Sequence, residues 1–464
     1  MTSNRNLPLG VQDFEELRKG NYLYVDKTDM VWAIANQRKY NYLSRPRRFG
    51  KSLLASTLKC YFEGKKELFE GLKIMSLEND WIKRPVIYLS MSLGGSDAQS
   101  LKEYLNERLS YYEKIYGKNP AEQSLGNRFN GIIERAYQQA GTQIAVIVDE
   151  YDVPLQHTYE TEHHDECRTI YRDFFTGLKD YGYCIKCVFI TGITKFTQIS
   201  LFSTLNTLVN ISFEESLAAV CGITNQELLF YFQKEIAMLS EKCNLSEAET
   251  INEMKSLYDG YHFASESPDV FNPFSLLNAM SKGKLDYYWF ASGTPTYLIN
   301  MLNKFQVMPS EIGGSEADKS EFDAPTEKMT TIMPLLYQSG YITIKGYDPE
   351  TELYLLDIPN KEIRVGLYRC LLPYYIGMNT VKGTTTIAKM SAAIRHNKID
   401  EALEMLQTYL GTIPYCDNTD YEGHYQQMMY VIFSILDNYV DVEVHTPKGR
   451  VDMVLRTATH LYLF

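Results

Sequence analysis

The sequence lacks any run of about 18 apolar residues, the length that a membrane-spanning helix requires. Its opening segment, MTSNRNLPLGVQDFEELRKG, lacks the apolar core of a secretion signal. Positive charge is also in short supply, because 46 Lys and Arg residues are set against 58 Asp and Glu residues, for a net charge of −12. We therefore expect a cytoplasmic protein with no membrane partner, in which any contact with nucleic acid is local.

Cysteine is scarce, with 8 residues scattered through 464. This distribution is typical of reduced thiols and not of a disulfide framework. The one close pair, Cys184 and Cys187, lies in the apolar run CIKCVFITGIT, and no second CxxC or His pair follows at the spacing of a zinc site. We interpret the pair as buried structural thiols, with metal or redox chemistry as the alternative.

Apolar segments of strand character recur in the first half of the chain and alternate with helical stretches. They occupy residues 40–43, 85–92, 143–148, 184–191 and 208–213. Continuous apolar runs of this kind are typical of a parallel sheet covered by helices on both faces. The sequence therefore predicts an α/β fold whose first domain spans residues 1–220.

The remaining residues show a different pattern. Helical periodicity predicts a lid or linker domain at 221–300 and a helical linker at 371–414. Between them, a helix precedes two alternating segments, YITIKGY and ELYLLDI, which a turn at Asp348-Pro349 joins into a hairpin. Helix plus hairpin predicts a winged-helix module at 301–370.

A phosphate-binding loop is predicted in NYLSRPRRFGKSLLASTLKCYF, which has the pattern of strand, loop and helix. Backbone N–H groups at the start of the helix favour an anion, Lys51 can reach the β- and γ-phosphates, and the Ser52 hydroxyl can ligate Mg²⁺. The generic pattern has glycine where this chain has Arg45, so a solvated basic loop or a nucleic-acid patch remains the alternative. The predicted cradle spans 45–52, and the predicted nucleotide-binding residues are Arg48, Phe49, Gly50, Lys51, Ser52 and Leu53.

A second motif supports the first. The apolar strand in QIAVIVDEYD stops at Asp149 and Glu150, the order expected when one carboxylate holds Mg²⁺ and the next polarises water. A solvated loop after the strand is the alternative. A third strand, VFITGITKF, ends in Thr191 and Thr194 with Lys195 close behind; we predict that Thr191 senses the γ-phosphate, although strand-end hydroxyls also serve turns. The motifs together predict a P-loop ATPase with Walker A and Walker B elements that uses ATP and Mg²⁺.

The ordered motifs LPLGVQDFEELRKGNYLYVDKTDMV, SRPRRFGKSLLASTLKCYF, VDEYDVPL, FITGITKF, CGIT, LYDGYHF and ASGTPTYL closely resemble a bacterial AAA-ATPase-like family that is often fused to a PD-(D/E)XK nuclease-like domain. The resemblance extends over nearly the whole chain. It implies that RPRRFGKS is the family's own form of the P-loop. It also implies that Asp26, Lys27 and Thr28 lie near the nucleotide, whereas the residues alone favour a helix cap formed by Asp26 or Thr28.

The resemblance further implies that residues 415–464 begin the nuclease-like domain, with Glu422 on a helix and Asp452 on the second strand as a metal ligand. In that fold a later Glu-x-Lys completes the magnesium site, and Glu443 is the other carboxylate within reach here. Because the sequence stops at Phe464, we expect no nuclease activity from these 464 residues, weak packing after about residue 415, and a gene product that continues. DNA or RNA are the partners that this module would contact.

The leading functional hypothesis is an enzyme in which ATP hydrolysis moves the helical and winged-helix parts and so controls the nuclease-like module. The alternatives are a nucleotide-dependent switch for a protein or nucleic-acid partner and a scaffold that does not hydrolyse ATP; Glu150 argues against the scaffold. A homo-oligomer remains open. Arg168 and Arg172 are candidates for an arginine that completes a neighbour's site, although a solvated helix face is the favoured interpretation.

Overall fold

The structure is a computed structural model. It describes residues 5–95, 97–195, 208–292, 296–376, 385–386, 389–390, 392–394, 396–410, 421–435, 439–446, 449–456 and 460–463.

A five-stranded parallel sheet forms the centre of the first part of the chain, as predicted. The strands are β1 (Tyr40–Ser44), β2 (Val86–Ser90), β3 (Ile144–Asp149), β4 (Ile185–Gly192) and β5 (Val209–Asn210). Their order is β2-β3-β4-β1-β5, and every neighbouring pair is parallel. β4 thus lies between β1 and β3, so the strands that precede the two predicted ATPase motifs are separated by a third. β5 is shorter than the predicted strand at 208–213.

Helices cover both faces of this sheet. In β3, Ala145 and Ile147 belong to one apolar core, whereas Val146 and Val148 belong to the other. A strand that is buried on both faces has a continuous run of apolar residues, which explains why β3 could be predicted from the sequence. The helices are α1 (Phe14–Lys19), α2 (Thr28–Gln37), α3 (Lys51–Phe62), α4 (Ala98–Tyr116), α5 (Leu125–Ala140), α6 (Val153–Thr158), α7 (His164–Phe175) and α8 (Gly177–Asp180).

The next segment is mainly helical, as predicted, and has its own apolar core around Leu228, Leu239 and Tyr258. Two of its helices begin with capping boxes, in which a hydroxyl and a glutamate satisfy the free N–H groups of the first turn. The elements are the paired short strands β6 (Ile223–Thr224) and β7 (Val270–Phe271), and helices α9 (Asn225–Tyr231), α10 (Gln233–Cys243), α11 (Glu247–Tyr258) and α12 (Pro273–Lys282). The sequence did not predict the two strands.

The predicted helix and hairpin are both present. Helix α15 (Met333–Ser339) precedes β9 (Thr343–Asp348) and β10 (Leu353–Asp357), and Asp348 stabilises the turn by accepting the N–H of Glu350 at 2.9 Å. A third antiparallel strand, β8 (Ser315–Ala317), pairs with β10 and was not predicted. Helices α13 (Thr296–Lys304) and α14 (Lys319–Phe322) complete this part.

The C-terminal part contains helices α16 (Lys361–Ile376), α17 (Ile399–Leu410) and α18 (Tyr421–Ile435), and the antiparallel strands β11 (Tyr439–Thr446), β12 (Gly449–Arg456) and β13 (Leu461–Leu463). Met428, Val431 and Phe433 of α18 are at most 1% exposed and share a core with Ile363 of α16. The expectation of weak packing after about residue 415 is therefore wrong for α18, because its apolar side chains pack in that shared core. None of the described helices is both long and apolar enough to cross a membrane.

Candidate functional site

The predicted phosphate loop connects β1 to α3. Gly50 has φ +92° and is the residue immediately before the helix, a backbone conformation that glycine adopts without strain. Arg48, with φ +69°, is also left-handed. No side chain caps α3, so the N–H groups of its first turn are directed out of the helix without a capping acceptor. A helix that begins in this way is suited to bind phosphate.

Arg45 has a structural role in this loop. Its side chain is 1% exposed, and Nη1 donates to the carbonyls of Ser44 and Ser212 at 2.9 and 2.8 Å, while Nη2 donates to that of Ala218 at 3.2 Å. The guanidinium also lies 4.2 Å from the centre of the Phe263 ring. Arg45 therefore fixes the loop to the segment that follows β5.

Two further residues of the predicted cradle contact the helical segment through their side chains. Phe49 is 1% exposed and packs edge-on against Tyr261, with ring centres 4.8 Å apart. The guanidinium of Arg48 lies 3.8 Å from the ring centre of Phe274. What Phe49 can offer a phosphate is therefore its backbone N–H, while Arg48 keeps a charged group at the edge of the loop.

Lys51 is buried within the loop and donates to the carbonyls of Arg45 and Pro46 at 2.9 and 3.0 Å. Burial lowers the pKa of the Lys51 ammonium, and the nearby carboxylates, Asp152 first among them, oppose that effect. Within the described part of the chain, the hydrogen bonds of this buried cation go to two neutral carbonyls, so the ammonium can still bind an anion such as phosphate.

Asp149 and Glu150 lie at the end of β3, beside Ser52. Asp149 is 2% exposed; its Oδ2 accepts the Tyr88 hydroxyl at 3.2 Å, and its Oδ1 has no hydrogen-bond partner among the described residues. Burial raises the pKa of Asp149, and the Ser52 hydroxyl opposes the shift. Burial also raises the pKa of Glu150, and the charge of Asp149 adds to the effect. No pattern in the sequence indicates that Tyr88 contacts this pair.

Thr191 stands between the two motifs. It pairs with Leu43 of β1, and its predecessor Ile190 pairs with Val148 of β3, so it lies level with Asp149 in the sheet. Thr191 is 0% exposed, and its hydroxyl has no hydrogen-bond partner in the described part of the chain. This placement fits the predicted contact with a γ-phosphate.

Thr194 and Lys195, in contrast, have partners. The Thr194 hydroxyl donates to Asp152 at 2.9 Å, and Lys195 forms an ion pair with Asp323 at 2.8 Å. Sequence reasoning missed Asp152, although it lies within the VDEYD motif, because the partners that define its role belong to another strand.

A polar cleft of about 230 Å³ opens beside the acids. Its wall includes Asp13, Ser52, Lys59, Tyr88, Asp149 and Glu150. The described residues contain no cluster of three or more His, Cys, Asp or Glu side chains that would hold a metal alone. Mg²⁺ fits the site nevertheless, because it is usually held by one or two carboxylates with phosphate and water oxygens, and Asp149 Oδ1 is a buried oxygen in need of a partner.

A second, mainly apolar cavity is lined by Gly50 and by residues of α3. Its wall includes Val25, Lys27, Leu53, Cys221, Gly222 and Leu277. Of the three residues that the resemblance placed near the nucleotide, Lys27 lines this cavity and forms an ion pair with Glu227 at 2.6 Å.

The other two residues of that group organise the backbone. Asp26 accepts the N–H and the hydroxyl of Thr28 at 2.9 and 2.7 Å, and the Thr28 hydroxyl accepts the N–H of Ile74 at 3.0 Å. The prediction that Asp26 or Thr28 is the capping residue is wrong, because the residue immediately before α2 is Lys27 and it makes no side-chain capping bond. Asp26 lies one residue earlier and accepts the N–H of the first helical residue, Thr28.

The remaining candidates, Arg168 and Arg172, line neither cavity. Arg168 lies 3.4 Å from both Asp165 and Glu327, and Arg172 lies 3.5 Å from Asp173 with half of its side chain exposed. Their role toward a neighbouring subunit stays a prediction.

The predicted residues of the C-terminal module and the close cysteine pair are placed as follows. Asp452 is in β12, Glu443 in β11 and Glu422 in α18, and their side chains lie outside the described part of the structure. Cys184 and Cys187 are buried, and burial raises the pKa of Cys187 to about 12, which is typical of structural thiols.

Comparison with known proteins gives two family matches. Residues 8–202 match the model described as predicted AAA-ATPase, and residues 420–464 match the PD-(D/E)XK nuclease superfamily. The chain is also 32% identical over 485 aligned positions to an "Uncharacterized protein in vnfD 5'region" of Azotobacter chroococcum mcd 1, a match that covers 100% of this chain and 89% of that protein.

Proposed function

Because the chain belongs to the family of predicted AAA-ATPases with a C-terminal PD-(D/E)XK nuclease region, we propose that it binds ATP with Mg²⁺ and hydrolyses the nucleotide. One observation carries the proposal. Asp149 Oδ1 and Thr191 Oγ1 are buried without hydrogen-bond partners in the described chain, at the ends of adjacent strands. Buried polar atoms are costly unless something pairs with them, and Mg²⁺ with a phosphate oxygen would pair with both.

The phosphate groups would bind at the start of α3. The free N–H groups of its first turn would donate to the β-phosphate, and Lys51 would exchange the two carbonyls it now contacts for phosphate oxygens. Ser52 and Asp149 would hold Mg²⁺, which neutralises charge on the β- and γ-phosphates when bound. Thr191 would donate its hydroxyl to the γ-phosphate.

Glu150 would act as the base toward water. It lines the polar cleft beside Asp149, and burial raises its pKa, which makes it a better proton acceptor. A base works only when it is deprotonated, so hydrolysis should require the carboxylate form of Glu150.

The apolar cavity would hold the adenine base. It adjoins Gly50 and Leu53, next to the phosphate-binding helix start, and is lined largely by aliphatic side chains, which suit a flat and weakly polar ring. Lys27 also lines this cavity, and it would donate to a ring nitrogen or to the ribose by giving up part of its ion pair with Glu227.

Control of the nuclease-like region is the finer part of the proposal, and two sets of contacts support it. After Thr194 the backbone N–H of Lys195 donates to Gln338 at 2.7 Å, and the N–H of Thr326 donates to the Lys195 carbonyl at 3.0 Å. Farther on, the hydroxyls of Tyr368 and Tyr430 lie 3.2 Å apart where α16 packs on α18. A change at Thr191 would reach Gln338 in α15, and a change in α16 would reach α18 at the start of the nuclease region.

A nucleotide-dependent switch is the second candidate function, since the same contacts would serve it even if turnover were incidental. Phosphate release by the purified chain distinguishes the two. We expect release that requires Mg²⁺ and a melting temperature that increases with ATP, and we expect both effects to disappear in Lys51→Ala, whereas Lys83→Ala, at an exposed lysine, should behave as the wild type. A melting shift without phosphate release would favour the switch, and identical shifts in the wild type and Lys51→Ala would contradict both functions at this site.

A further inference from the structure

We propose that Asp152 is a positioning residue for ATP hydrolysis, which fixes the loop that carries Glu150 to the end of β4 that carries Thr191. The inference rests on the proposed ATPase function and adds a residue that touches neither metal nor nucleotide. It begins from the position of Asp152, two residues after Glu150 and fully buried at 0% exposure.

Asp152 gathers four hydrogen bonds on a single oxygen. Its Oδ2 accepts the backbone N–H groups of Ile193 and Thr194 at 2.9 and 2.7 Å, the Thr194 hydroxyl at 2.9 Å, and the side-chain amide of Gln156 at 2.6 Å. Three of these donors belong to the two residues that follow β4. Hydrogen bonds to a buried carboxylate are stronger than neutral ones, so this link holds the two loops together firmly.

The neighbouring residue Tyr151 makes the same connection through its backbone and its ring. Its N–H donates to the Thr191 carbonyl at 3.1 Å, and its hydroxyl donates to the Thr194 carbonyl at 2.9 Å. Residues 151 and 152 are thus both held on β4, directly after the proposed base.

This attachment explains the backbone of Glu150, which has φ +53°. A left-handed conformation is unfavourable for glutamate and persists only where the surrounding contacts impose it. The contacts of Tyr151 and Asp152 are the ones that impose it here. If they were weakened, Glu150 could relax to an ordinary conformation, and its carboxylate would move relative to the γ-phosphate and the attacking water.

The two loops approach so closely that only glycine fits between them. A Cβ atom added at Gly192 would come within 2.5 Å of Asp152 Oδ1. Oδ1 itself has no hydrogen-bond partner among the described residues, and Asp152 is the charge that most strongly opposes the burial-induced lowering of the Lys51 pKa. The same carboxylate therefore links the loop of the proposed base to the two residues that follow β4, and it also contributes to the electrostatic surroundings of Lys51.

The test compares Asp152→Asn and Asp152→Ala with the wild type in the full chain, with ATP binding and steady-state phosphate release measured separately. Asn retains an acceptor for the N–H groups and tests the role of charge, whereas Ala removes the link. Thr194→Val removes one of the donors and leaves Asp152 in place. Asp348→Asn is the control, because Asp348 is also a carboxylate that accepts a backbone N–H, at the exposed hairpin turn.

We expect kcat to fall in the order wild type, Asp152→Asn, Asp152→Ala, by about 10- to 100-fold in the last, because a misplaced catalytic group costs that much. KM for ATP should change much less. Adding Thr194→Val to Asp152→Ala should cost little more, since both act through one link. Wild-type kcat in folded Asp152→Asn and Asp152→Ala would overturn the inference, and so would equal losses for Asp152→Ala and the control. Absence of turnover in the wild type would instead overturn the proposed ATPase function.

Discussion

Replacing Arg45 by glycine would restore the generic phosphate-loop pattern, yet we expect it to destabilise the protein. The Arg45 guanidinium is buried, donates to the carbonyls of Ser212 and Ala218, and lies over the Phe263 ring. A buried acceptor that loses its donor costs about 1–3 kcal/mol, and the stacking on Phe263 contributes about 1 kcal/mol more. Water that enters the vacated space would offset part of this loss.

The net expectation for Arg45→Gly is a loss of about 3 kcal/mol, or roughly 6–12 °C in melting temperature for a unit of this size. Thermal unfolding followed by circular dichroism without nucleotide measures it. Arg47→Gly is the matched control, because the neighbouring Arg47 is exposed and its hydrogen bond to Gln156 is 3.5 Å long. The structural role given to Arg45 is refuted if Arg45→Gly has the melting temperature of the wild type, or if Arg47→Gly lowers the melting temperature by as much as Arg45→Gly does.

Three further predictions concern the acids and the cavity. Glu150→Gln should bind ATP normally but release phosphate about 10²–10⁴-fold more slowly, and Asp149→Asn should weaken Mg²⁺-dependent binding; wild-type rates in both would contradict their assignment. Burial raises the pKa of Glu362 from 4.5 to about 7, so the folded protein favours the protonated carboxyl, and the free energy of unfolding decreases as pH rises from 4.5 to 7. In urea titrations, Glu362→Gln should therefore be more stable than the wild type at pH 8, by at most about 3 kcal/mol, but not at pH 4.5. Gly222→Val should prevent ATP binding in a titration, since Gly222 lines the apolar cavity and has φ +105°. Unchanged affinity would show that the adenine ring binds elsewhere.

The sheet and the acid pair could be predicted because their signals are local. β3 is buried on both faces, so its sequence is apolar without interruption until Asp149, and the change from apolar to acidic residues shows where the strand ends. The glycine of the predicted phosphate loop is similarly visible in the sequence, since Gly50 adopts without strain the left-handed backbone conformation that precedes α3.

The remaining features depend on contacts between distant residues. Arg45 looked like a departure from the phosphate-loop pattern because its partners, Ser212 and Ala218, lie 167 and 173 residues away. Asp152 is visible in VDEYD, but its role depends on how Ile193 and Thr194 dock. β8 is three residues long and was missed, because so short a segment carries no periodicity.

The strand order also has a consequence for how the protein is made. β1 and β3 both pair with β4. The ribosome makes β4 roughly 150 residues after β1, which is a delay of about 7–30 s at ordinary rates of synthesis. Throughout that interval the centre of the sheet is open and its apolar edges are unpaired. The nascent chain is therefore most exposed to aggregation and to chaperones before β4 emerges.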